Sequence, residues 1–249
     1  AYEYYRTRMA DTGDMTWVFV GALDLDTLQP LVERWIGSLP SDGDPDDWQD
    51  VGLRTREGPL HRTIRAGVDE KARTTLVMAG REMEWTRENR FALNALGEVL
   101  RIELREEIRE EQSGTYGVSV GASANRIPVI QWQVRVSFGA EPARLDELVG
   151  ATLDVLRDVR ENGVDGETLA KVREQRLREL EENQRDNDYW LSILTTRERH
   201  GYDHRDELDT REFIESITVE DVSAVARWAL PVDEAVRIDM LPGEEGAGR

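Results

Sequence analysis

Hydrophobic and polar positions along the chain alternate between two periods, and each period predicts a different kind of element. The run Thr16 to Val20 in TWVFV is short and apolar, as a buried strand would be. Asp26 then reads as an N-cap, with Leu28, Leu31, Val32 and Trp35 at helical spacing and Gly37 as a stop. Two strand candidates follow, around Thr63 in HRTIRAG and from Thr75 to Met78 in ARTTLVMAG. From about Thr86 to Glu110 the period returns to that of a helix. Leu93, Leu96, Leu100 and Leu104 form one stripe, widened by Ala92, Ala95 and Val99.

The centre of the chain changes period again. Tyr116, Val118, Val120 and Ala122 alternate with small residues, and Ile130, Trp132, Val134, Val136 and Phe138 alternate with polar ones. An antiparallel hairpin joined through ASANRIP is predicted, with one face buried. A helix from Leu145 to Val159 stops at Gly163, and Asp165 caps another through KVREQRLRELEENQ. Thr218 with Asp221 forms a capping box for SAVARWAL, and AVRIDML closes as a strand. The coarse order β-α-β-α-β-β-α-α-α-β predicts an α+β fold, a two-layer sandwich of a mixed or antiparallel sheet covered by helices. One domain over residues 1–242 is expected. Residues 1–13 would be the end of a preceding helix or linker, which marks the chain as a piece of something longer, and 243–249 a disordered tail. The stretch SDGDPDDWQD reads as an exposed acidic loop.

Composition narrows the partners. At 249 residues the chain is long enough for a full core, but its net charge of −19 argues against nucleic acid and anionic membranes. No apolar run reaches the ~18 residues a membrane span needs, and no signal peptide opens the sequence. Cysteine is absent, which suits exported and cytosolic proteins alike. Of 32 basic residues only Lys71 and Lys171 are lysine. A GC-rich genome explains the missing lysine but not the excess acid. A salt-adapted, halophilic source explains both, since in molar salt the Debye length falls to ~3 Å and self-repulsion is screened.

Chemistry-bearing patterns are sparse. The histidines are His61, His200 and His204. The last two have i, i+4 spacing in HGYDH, but Gly201 lies between them and no third ligand accompanies them, so a solvated helix end or loop is expected. There is no G-x-S-x-G, no phosphate-binding glycine loop, and the carboxylates of EEIREEQ read as a wet helix face.

The segment LREEIREEQSGTYGVSV, after a long helix and before a hairpin, resembles the non-catalytic half of the pitrilysin/insulinase family of inverted zinc metallopeptidases. DMTWVFVGALDLDTLQPLVERWIGSLP, ARTTLVMAG and GETLAKVREQRLRELEENQ resemble further segments of that family in the same order. The likeness spans about residues 5 to 241 and is nearest in character to the bacterial zinc proteases related to PQQ-locus peptidases. It implies a clam-shell enzyme in which another half holds zinc through H-x-x-E-H, a motif this sequence lacks. This chain would hold no cofactor and no catalytic residue. It would instead bind a peptide substrate, through Arg109 and, seven residues on, Tyr116, which match in type and spacing the pair that reaches across the chamber. Its partners would be that peptide and the catalytic half, either fused or as a partner subunit, in an exported, periplasmic bacterial protein.

Read without the resemblance, Arg109 is better explained by an ion pair with a neighbour such as Glu106, and Tyr116 by packing at a sheet edge; the resemblance reverses that preference. A structural scaffold subunit of the same fold is the competing reading for the whole chain. A generic acidic interaction module for cationic partners is a third.

Overall fold

The computed structural model describes residues 1–41, 48–66, 70–110 and 117–243. The chain divides into two units, Ala1–Val51 with Leu177–Glu212, and Gly52–Arg176 with Phe213–Arg249. In chain order the helices are α1 (Tyr2–Arg8), α2 (Leu25–Trp35), α3 (Arg87–Glu110), α4 (Leu145–Asn162), α5 (Gly166–Asn183), α6 (Asn187–His200), α7 (Thr210–Ser216) and α8 (Val219–Ala229). The strands are β1 (Leu60–Arg65), β2 (Ala72–Gly80), β3 (Ser119–Asn125), β4 (Gln131–Ala140) and β5 (Val236–Leu241).

The second unit holds the sheet, in the order β1-β5-β2-β4-β3. Strand β1 runs parallel to β5, and the other neighbours are antiparallel, so the sheet is mixed. Helices α3, α4 and α8 pack on one of its faces. The architecture is the expected α+β sandwich. Its core is built by two periods meeting: Leu93, Leu96, Leu100 and Leu104 are wholly buried on α3, and Leu76, Met78, Val134 and Val136 come up to meet them from the strands. Gly97 lets α3 approach closely, since a Cβ there would stand 2.8 Å from the Cβ of Ala122 on β3. Ion pairing ties α5 to α3, where Arg176 meets both carboxylate oxygens of Glu98 at 2.9 and 3.0 Å and lies 4.3 Å from the Phe91 ring. The capping box at Thr218 and Asp221 forms as expected, and Gly163 ends α4 with φ of 87°.

The first unit departs from expectation. Residues 16–20 form no strand: a ladder needs a partner, and this unit has no strand among the described residues. Trp17 and Phe19 are 49% and 44% exposed. Helix α2 does form, capped by Asp24 rather than Asp26, but none of its residues is buried. Two further helices, α6 and α7, have no counterpart in the apolar periodicity. What holds α6 is polar: Arg197 bridges Asp206 at 3.3 Å and Glu207 at 3.2 Å, and the Tyr189 hydroxyl donates to Glu207.

Candidate substrate-binding surface

Helix α3 and strand β3 deliver the two ends of the segment that holds the candidate pair. Arg109 belongs to the last turn of α3, anchored by the buried Leu104 and Ile108. Its side chain, and Tyr116 with the whole of 111–116, lie outside the described residues. Gly117 and Val118, the latter 8% exposed, lead into β3, which packs beside α3.

Gly117 also lines a groove of about 750 Å³ on the face of the sheet that the helices leave open. Strand alternation builds that face. On β2 the buried positions are Ala72, Thr74, Leu76 and Met78, so Arg73, Thr75 and Val77 point the other way. On β4, Trp132, Val134, Val136 and Phe138 are buried, and Gln133, Arg135 and Ser137 share the open side. Register places Ser137 opposite both Thr75 and Ser119, and Arg135 opposite Val77 and Gly121. The result is a shallow surface on which hydroxyls, amides and guanidinium groups stand beside the aliphatic Val77, Ile238, Met240 and Ile64. Arg73 and Arg135 were not singled out in the sequence, although the off-phase arginines of ARTTLVMAG and QWQVRVSF carried the signal.

A second charged region lies between α3 and α4, where Glu103, Glu106, Glu107, Glu147, Asp154 and Asp158 line one cleft. Burial, with repulsion from Asp165, Asp158 and Glu106, pushes the Glu103 carboxyl up to about 7. On β5, between β1 and β2, Asp239 is 3% exposed and receives Thr74 Oγ1 at 2.7 Å, His61 Nε2 at 2.8 Å and Arg237 Nε at 3.0 Å. Burial acts to raise this carboxyl, but the hydrogen bonds from Arg237, Thr74 and His61 prevail and hold it below its ordinary value.

The two histidines with described side chains have separate partners. His61 is engaged with Asp239, and His200, the last residue of α6, stacks on Tyr202 at 5.3 Å. Gly201 ends α6 in the left-handed conformation, so His200 and His204 do not share a helix; the side chain of His204 lies outside the described residues. Among the described residues no group of three His, Cys, Asp or Glu could hold a metal ion. A zinc ion is therefore not fitted by the donors seen here.

Comparison with known proteins gives this fold a family. The chain is 25% identical over 228 residues to the probable zinc protease PqqL of Haemophilus influenzae, covering 87% of this chain and 24% of that protein. It is 24% identical over 238 residues to PqqL of Escherichia coli K12, covering 90% of this chain and again 24% of the relative. It thus spans about a quarter of the length of these relatives. Among solved structures, the periplasmic protease PqqL from Escherichia coli superposes with a TM-score of 0.74 at 22% identity, over 89% of this chain and 24% of that one. A mutant of the ferredoxin protease FusC in complex with Arabidopsis ferredoxin gives 0.73 at 21%, with the same coverage of 89% and 24%. A family model described as the peptidase M16 inactive domain matches residues 1–176, well over half of the sequence, and the chain belongs to that family.

Proposed function

We propose that this chain is the substrate-binding, non-catalytic part of a zinc endopeptidase, closing over a peptide while another domain or subunit supplies the zinc site. One observation carries the reading: a family described as an inactive peptidase domain coincides with a sheet whose helix-free face carries a groove lined by hydroxyl and guanidinium groups. An extended peptide is the ligand such a face suits, because its own amides and carbonyls find donors and acceptors along it. The family match runs through parts of both units, which supports treating residues 1–242 as one functional domain. The periplasmic placement of the Escherichia coli relative supports export. No helix among the described residues is long and apolar enough to cross a membrane.

In this proposal Arg109 and Tyr116 touch the substrate. A guanidinium is charged at every working pH and donates to a peptide carbonyl, and a phenol donates to an oxygen that gains negative charge. Zinc, when bound by the other half, would activate the attacking water. The two side chains of this chain would position the scissile peptide and stabilise the oxyanion, conditional on closure. Each such donor is worth about 3 kcal/mol in a water-poor chamber. In the full-length enzyme, Arg109→Ala and Tyr116→Phe should each lower turnover about a hundredfold with zinc content unchanged. Unaltered turnover in both variants removes these roles.

A further inference from the structure

The open face of the sheet carries a charge opposite to that of the chain. Arg62 of β1 pairs in register with Ile238, which pairs with Thr75, so Arg62 shares the face of Arg73 and Arg135. Tracing that face through all five strands meets three arginines and no Asp or Glu, in a protein whose net charge is −19. Among the described residues the groove itself adds Lys71, and its acidic lining residue is Glu70. Glycines flank the arginines: Gly139 is the register partner of Arg73, and Gly121 of Arg135. A Cβ at Gly121 would meet nothing within 4 Å, so a guanidinium or a ligand has room there. The strand positions of this face thus differ in sign from the chain as a whole.

We infer that this face selects acidic polypeptide segments, with Arg73 and Arg135 receiving Asp or Glu side chains of an extended substrate. The inference rests on the peptide-binding reading and names its substrate class. Arg73 and Arg135 lie four residues apart along β4 register, roughly 14 Å, which is about the span of two alternate side-chain steps of an extended peptide. A planar guanidinium takes a carboxylate through two parallel hydrogen bonds. The rest of the chain repels an acidic ligand at long range, a repulsion that salt screens while close contacts persist. Recognition therefore depends on contact at this face rather than on steering. A nucleic acid fits less well, since the strand positions of this face carry no aromatic side chain on which a base could stack.

The test is fluorescence anisotropy with the whole chain and labelled peptides of equal length, one acidic, one uncharged and one basic, beside an oligothymidylate. The acidic peptide should bind about tenfold more tightly than the uncharged one. The double variant Arg73→Gln/Arg135→Gln should erase that preference, so that on the variant the acidic and the uncharged peptide bind equally. Both arginines lie on the solvent side of their strands, and melting curves verify that the variant folds. A basic peptide that binds most tightly overturns the inference, as does an oligothymidylate that binds as well as the acidic peptide. Equal binding of acidic and uncharged peptides overturns it and leaves the peptide-binding function standing. Absence of binding by any peptide overturns both.

Discussion

Glu103 is the residue whose charge state the fold disturbs most informatively. Its carboxyl sits half-buried on α3 and is pushed up to about 7, first by burial and then by repulsion from Asp165, Asp158 and Glu106. The folded protein binds this proton more tightly than the unfolded chain does. Ionising Glu103 therefore costs stability progressively as pH rises from 4.5 through about 7, and the cost is complete above that. Glu103→Gln should raise the melting temperature at about pH 8 by about 2–4 °C, the equivalent of about 1 kcal/mol after solvent screening. At about pH 5 the gain should nearly vanish, and about 2 M salt should shrink it while raising the melting temperature of the unsubstituted protein. Loss of melting temperature at high pH in the variant would show that the acidic cleft does not strain the fold. Asp239 is the opposite case, a buried carboxylate made tolerable by three donors.

At the scale of elements, the contact between α3 and β3 bears most directly on the proposed function, because these two elements flank the segment with Arg109 and Tyr116. At Gly97 they approach closely, with Ala122 Cβ 2.8 Å and Ala122 N 3.1 Å from the point a Cβ on Gly97 would occupy. Gly97→Val should cost about 1–3 kcal/mol through overpacking, read from urea unfolding. A methyl group at Gly150 on α4 meets nothing within 4 Å, so Gly150→Ala should instead stabilise by about 0.5–1 kcal/mol. If both substitutions proved neutral, the close approach would not be a determinant of this packing. Much of this layer is legible in the sequence. Strict period-2 alternation in β2 and β4 and the leucine stripe of α3 report burial on one face, and that is what forms. The apolar run at residues 16–20 misleads because it reports hydrophobicity, not the presence of a partner strand. Helix α6 escapes a sequence reading because its support is a polar network around Arg197, which leaves no apolar period.

For the molecule as a whole, sequence and fold speak to function at different resolution. The family resemblance points to Arg109 and Tyr116 through residue type and spacing, a signal carried along a single stretch of sequence. The open face of the sheet is hidden in the sequence. Its polar residues belong to four strands that are far apart along the chain, and only the order β1-β5-β2-β4-β3 gathers them. Charge gives the same lesson, since a net −19 describes the surface in sum and conceals a face whose only charged strand residues are arginines. The central claim is that this chain binds peptide without holding the metal. Titrating a labelled peptide into the chain in excess chelator tests it most directly. The expected result is saturable binding, unchanged by chelator and without cleavage of the peptide; no binding, or cleavage that the chelator abolishes, would contradict it.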